Sequence, residues 1–139
     1  MSRIKQLSIF VENKMGQLTD VTTLLASNNL SIKSINLVDS TEFGILRLIV
    51  DDAQKAKQVL DDNGISLKIT EVFAIEIDDH IGSFNEIVSL LTENGINIEY
   101  TYTINNQENG AFIFKVTPVE LEKTLSLLEE NNIKVLGEI

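Results

Sequence analysis

Apolar residues alternate at the start of the chain: in Lys5-Gln-Leu-Ser-Ile-Phe-Val11 they place Leu7, Ile9 and Val11 on one face, which predicts a strand. The spacing then turns helical at Leu18, Val21, Leu24 and Leu25, and stops at Asn28-Asn29, residues suited to a left-handed helix end. Two strands are expected next, over residues 31–39 and 44–50, joined by Ser-Thr-Glu-Phe-Gly with its hairpin-forming residues. A second helix, carried by Ala53, Ala56, Val59 and Leu60, and a short strand over 65–70 complete the order β-α-β-β-α-β.

The pattern is then repeated. Val11-Glu-Asn-Lys-Met-Gly-Gln-Leu18 returns as Ile77-Asp-Asp-His-Ile-Gly-Ser-Phe84, and Gly16 and Gly82, Asn28 and Asn94, Ile32 and Ile98, and Gly44 and Gly110 all lie 66 residues apart. Phe84, Ile87, Leu90 and Leu91 carry the matching helix, with strands over 97–104 and 111–116 around the turn Asn105-Asn-Gln-Glu-Asn-Gly110. Past Val116 the offset is 68, since Asn63-Gly-Ile65 matches Asn131-Asn-Ile133, so the last helix region holds a short insertion. That helix carries Leu121, Leu125 and Leu128, with Pro118 in its first turn, where a missing N–H costs nothing, and a final strand covers 133–138.

A repeat of this length predicts two domains, residues 1–71 and 72–139. The fold class is α+β, a ferredoxin-like arrangement occurring twice, with antiparallel sheets side by side to give eight strands and helices on one face. Units of about 70 residues are marginal alone, so the copies are expected to share a surface or to dimerise. The join at 67–77 has no Pro/Gly/Ser-rich stretch and reads as two strands with hardly a turn between them, which points to rigid coupling.

Composition narrows the chemistry. There is no cysteine, which excludes disulfides, thiolate catalysis and sulfur-ligated metal centres. The single histidine, His80, has Asp78 and Asp79 beside it but no second His or Cys to complete a transition-metal site. No Gly-rich phosphate loop or nucleophile-base constellation is present, so an enzyme is not expected and no cofactor is implied. The N-terminus lacks a signal-peptide core and no apolar run reaches bilayer length, which makes a cytoplasmic protein the expectation.

Of the net charge of −10, residues 1–71 carry −1 (eight Lys/Arg, nine Asp/Glu) and residues 72–139 carry −9 (three against twelve). The second copy would repel a phosphate backbone. Phe112 and Phe114 share a face of a strand loosely like an RNA-binding one, but the matching strand of the first copy is aliphatic, so nucleic acid is not an expected partner.

The loop between first strand and first helix holds both the repeated glycine and a helix N-terminus, whose unpaired N–H groups attract carboxylates. Gly16 and Gly82 allow positive φ or close approach of a ligand, and Asn13 and Asp79 reach across the same loop. The carboxylate of an α-amino acid would accept from the amides of Gln17 and Leu18, or of Ser83 and Phe84, with Asp79 serving its ammonium. The plainer reading is that the glycines are turn requirements and that Asn13 caps its loop. Tyr100 and Tyr102, on one face of a strand, would form a ligand or interface wall, or pack as plain interface residues.

The strand, the Asn-x-x-Gly-x-Leu segment, the apolar helix and the closing Gly-Ile-Asn-Ile98 resemble an ACT domain, and the chain as a whole resembles a tandem ACT-domain protein without a catalytic domain. The resemblance implies an amino acid bound between two copies, held by this loop of one and the second strand of the other, with occupancy regulating a separate metabolic enzyme. In serine-binding members an Asn three before the loop glycine and an Asn opening the second strand touch ligand. Asn13 and Asn97 stand at those positions, but the first copy has Ser31 for Asn97 and the second has Asp79 for Asn13. The proline usual before the glycine is replaced by Met15 and Ile81, whose apolar side chains would line a pocket for a larger ligand. An amino-acid ligand and a homodimer are therefore the expected partners, with no membrane, and the alternative is a ligand-free protein-protein interaction scaffold.

Overall fold

The computed structural model describes residues 2–39, 42–104 and 110–139. In chain order they form β1 (Ile4–Glu12), α1 (Gln17–Ser27), β2 (Ile32–Asp39), β3 (Phe43–Val50), α2 (Ala53–Asp62), β4 (Leu67–Ile77), α3 (Ser83–Glu93), β5 (Tyr100–Ile104), β6 (Gly110–Lys115), α4 (Pro118–Glu130) and β7 (Val135–Leu136). They divide into two compact units, Lys5–Thr70, and Glu71–Ile139 with the N-terminal segment up to Ile4.

In the Lys5–Thr70 unit the strand order is β2-β3-β1 followed by the start of β4. β3 runs antiparallel to both neighbours, with Leu7 opposite Leu48, Ile9 opposite Leu46, and Leu37 opposite Leu46 on the other side. The alternation read in the sequence sends Leu7, Ile9 and Val11 into one core with Leu46, Leu48 and Val50, where Val21 and Leu25 of α1 and Ala56 and Leu60 of α2 meet them. In the other unit β4 pairs with β6 on one side and β7 on the other, and β6 pairs with β5. Its core joins Phe73, Ile75, Ile77, Phe114 and Val116 to Ile87 and Leu91 of α3 and Leu121, Leu125 and Leu128 of α4.

The eight strands expected from the sequence are seven among the described residues. Residues 65–70 and 72–77, read as two strands, form the single strand β4, because Glu71 is neither a turn residue nor a breaker and the extended backbone continues through it. Its burial changes along its length: Lys68 and Glu71 are exposed, whereas Val72, Phe73, Ala74 and Ile75 are all fully buried. β5 starts at Tyr100, leaving Asn97 outside the strand, and β7 has two residues. Of the two hairpin turns expected, 105–109 and Ser40-Thr41 lie outside the described residues.

All four helices end the same way. Asn28, Asn63, Asn94 and Asn131 are the C-caps, and each side-chain amide donates to the carbonyl four residues back, at 2.8 Å in every case. The next residue is left-handed: Asn29 (φ 58°), Gly64 (φ 74°), Gly95 (φ 72°) and Asn132 (φ 57°). The amide after that, from Leu30, Ile65, Ile96 or Ile133, returns to the carbonyl five back, closing the exposed helix end.

Candidate functional site

The repeated loop has one construction in both units. The Lys14 amide donates to the Glu12 carbonyl and the His80 amide to the Asp78 carbonyl, tight reversals at the ends of β1 and β4. A β-turn follows, closed by the Gln17 amide on the Lys14 carbonyl (3.4 Å) and the Ser83 amide on the His80 carbonyl (3.2 Å). Its third residue is the glycine, with φ 93° and ψ −16° at Gly16 and φ 92° and ψ −4° at Gly82, values a type II turn requires there. A Cβ at either glycine would meet nothing within 4 Å, so the local need for glycine is torsional and not a matter of space.

The turn residue before each glycine is held out into solvent: Met15 and Ile81 are fully exposed, two apolar side chains at equivalent positions. The turn bond occupies the Gln17 and Ser83 amides, which leaves Leu18 and Phe84 as the first donors of α1 and α3 that helix geometry does not use. Ser83 is buried and its Oγ donates to the His80 carbonyl at 2.9 Å, fastening the turn to the helix. The Phe84 ring is tilted against Phe112 (4.7 Å) and stacked with Phe114 (5.9 Å), so it belongs to the core and only the Phe84 amide is left as a donor. Asn13 holds the loop through its backbone amide on the Glu42 carbonyl (2.9 Å), and its side chain and that of Asp79 are exposed.

Ser31 and Asn97 are not brought to these loops within a unit. Glu12 pairs with Phe43 at one end of β3, whereas Ile32 pairs with Val50 at the other and Ser31 is fastened to Asp51. An eight-residue strand separates them, roughly 23 Å at 3.3 Å per residue. In the second unit Ile77 pairs with Gly110, and Asn97 lies before the opposite end, where Glu99 donates to the Lys115 carbonyl. Tyr100 and Tyr102 are half-buried on β5 with centroids 6.5 Å apart. Phe114 is fully buried, stacked on Phe73 at 5.7 Å, and is closed to nucleobases.

A family model for an ACT domain pair matches residues 2–138. The chain belongs to the ACT domain family. The structure of protein BT0572 from Bacteroides thetaiotaomicron is 34% identical, with a TM-score of 0.89 over 96% of this chain and 92% of that one. The ligand-free regulatory subunit of aspartate kinase from Thermus thermophilus has a TM-score of 0.64 at 14% identity, covering 93% of this chain and 91% of that one. E. coli aspartokinase III, in complex with aspartate and ADP, has a TM-score of 0.59 at 19% identity, covering 94% of this chain and 32% of that one. No curated protein matches the chain. The ACT pair takes up these 139 residues, and among the described ones no helix is long and apolar enough to cross a membrane.

The ACT repeat also carries a feature that loop motifs do not reveal. Each unit has a cavity of about 390 Å³ beneath the loop, and the two are lined by equivalent residues. Val11, Val21 and Ile65 floor the first, and Ile77, Ile87 and Ile133 the second. Carboxylates recur at two positions, Glu12 and Asp20 in one and Asp78 and Glu86 in the other. Of the residues expected from the sequence to bind ligand, only Gln17 and Ser83 line these cavities. The signal available was the pair of acidic positions 66 residues apart, Glu12 with Asp78 and Asp20 with Glu86.

Proposed function

We propose that this ACT pair, residues 1–71 and 72–139, is a non-catalytic regulatory protein of the cytoplasm that binds an amino acid and passes its occupancy to a separate enzyme. The observation that carries the proposal is the duplicated loop: the same glycine turn opens α1 and α3, with the donors of Leu18 and Phe84 beside exposed Met15 and Ile81. Because Ser31 lies at the far end of its own sheet, the second strand that completes the site belongs to another ACT copy. Linkage does the rest: a ligand that bridges two copies favours one arrangement by its difference in affinity for the two.

Thermal denaturation of the purified chain against each of the twenty amino acids tests this, since a ligand that binds only the folded state raises its apparent stability with concentration. A selective, saturable rise that is lost in Asn13→Ala and Gly82→Ala variants is expected. No rise with any amino acid in folded protein would remove the sensor function.

One observation favours the alternative, a ligand-free interaction scaffold. Among the described residues nine large apolar side chains are exposed, and seven (Phe10, Met15, Leu18, Ile35, Leu37, Val38 and Phe43) lie in the Lys5–Thr70 unit. That unit carries −1 of the net charge of −10, so a second copy docking there meets little repulsion. Helices on one face of each sheet would leave the other for such a partner. Sedimentation at increasing protein concentration checks it: a monomer at all concentrations would exclude the homodimer.

A further inference from the structure

We infer that β2, the outer strand of the Lys5–Thr70 unit, pairs antiparallel with β2 of a second copy about a two-fold axis at Asn36, and that the equivalent strand β5 takes no part. The inference rests on the second copy proposed above as a docking partner; it fixes the strand and the register, and it needs no ligand. Among the described residues β2 has one neighbouring strand, β3, so the backbone groups along its other side have no ladder partner. The register shifts between Ile32 and Ser34, a bulge that takes Lys33 out of the ladder and leaves Ser34–Asp39 as the regular part.

Side-chain placement selects the register. Ile35 and Leu37 stand opposite Leu48 and Leu46, so they share the helix side of the sheet with the core, yet they are 49% and 48% exposed. Leu37 lies across Gly44, where an added Cβ would come within 3.3 Å of its Cδ1. Residues directly opposed in an antiparallel pair share a face, so a two-fold axis on β2 must pass through a residue and not between two. An axis at Asn36 sets Ile35 against Leu37 of the second copy, and by symmetry Leu37 against Ile35, so both exposed side chains are covered by apolar ones. On the other face it sets Val38 against Ser34. An axis at Ile35 would instead oppose Leu37 with the bulged Lys33, and one at Leu37 would oppose Ile35 with an aspartate.

The second unit lacks this pattern. Counting 66 residues on, Thr101 and Thr103 of β5 replace Ile35 and Leu37, and the Thr101 hydroxyl donates to the Ile113 carbonyl at 2.8 Å. Pairing β5 with itself would oppose hydroxyls where β2 opposes aliphatic groups, and pairing β2 with β5 would set Ile35 and Leu37 against threonines. Charge acts in the same direction, since residues 72–139 carry −9 and residues 1–71 carry −1. One self-complementary edge per chain closes at two copies, whereas a β2-to-β5 contact would be heterologous and able to propagate.

The chain has no cysteine, so single introduced cysteines report the interface in the full-length protein. Directly opposed residues of an antiparallel pair have Cα atoms about 4.5–5.5 Å apart, within reach of a disulfide. Asn36→Cys is expected to give a reducible covalent dimer on mild oxidation, and Tyr102→Cys, the equivalent position of β5, none. Ile35→Lys breaks two symmetry-related apolar pairs at once and should raise the dimer dissociation constant in sedimentation equilibrium at least about tenfold, as should Leu37→Lys. A sedimenting dimer in which Asn36→Cys fails to cross-link, or in which Tyr102→Cys cross-links to itself or to Asn36→Cys, would overturn the β2 pairing and leave a second copy as the partner. A dissociation constant unmoved by both lysine variants would overturn it equally. A monomer at every concentration would remove the pairing and the docking partner together, with the amino-acid test above unaffected.

Discussion

Replacing Gly82 by alanine isolates what the repeated loop asks of its glycine. No atom lies within 4 Å of the added methyl, so no clash enters, and the whole effect comes from φ 92°. Holding an L-residue at such a φ costs about 1–2 kcal/mol. Alanine also reduces the freedom of the unfolded chain, which returns about 0.4–1 kcal/mol and leaves a net loss of about 1 kcal/mol. Urea denaturation should show this as a midpoint lowered by roughly 0.3–1 M with an unchanged slope. Gly16→Ala, at φ 93° with equally open surroundings, should lose the same amount. Ile81→Pro should go the other way, gaining about 0.4–1 kcal/mol, because proline favours the second position of this turn and the Ile81 side chain has no packing to lose. Alanine variants as stable as the parent would refute the turn assignment and show that the loop relaxes to negative φ.

Leu60→Ala and Phe73→Ala, each in the core of a different unit and fully buried, should cost about 2–5 and 3–5 kcal/mol in the same denaturation assay. Asp52→Ala removes the side chain that accepts from the Lys55 amide at 3.1 Å and caps α2, an expected loss of about 1 kcal/mol. With a net charge of −10, the melting temperature should rise as sodium chloride screens like charges; a fall with salt would mean that attractive ion pairs dominate instead.

The helix ends were the most legible part of the chain, because a left-handed stop needs Asn or Gly and each of the four helical patterns ends in one. The core faces followed from alternation at Leu7, Ile9 and Val11 and from helical spacing at Val21 and Leu25. The join reads as two strands with hardly a turn between them because Ile65–Thr70 and Val72–Ile77 each match a strand of the repeat, whereas nothing at Glu71 interrupts the single strand β4. Asn97 was placed on a strand by its equivalence with Ser31, yet neither residue lies in one, and strand ends are set by ladder partners that sequence spacing does not name. For the candidate site, the loop motif pointed to the surface that carries Met15 and Ile81. The cavities beneath it draw on residues as separate as Asp20 and Ile65, which no local motif joins.

The four asparagine stops also set how the protein ages. Asn63 and Asn94 each precede glycine, and an asparagine followed by that least hindered of residues is open to attack by the next amide nitrogen on its side chain. Their side-chain amides are the groups that tie off α2 and α3. Deamidation at either site exchanges a donor aimed at a helix carbonyl for a negative oxygen beside the negative end of the helix, so the chemical lesion would begin to unravel the structure that hosts it. Peptide mass mapping of stored samples should find Asn63 and Asn94 converted ahead of Asn28 and Asn131, whose successors are asparagines, with Asn109, which also precedes glycine, as the third such site; fully native Asn63 and Asn94 in old preparations would mean that the carbonyl contacts shield them.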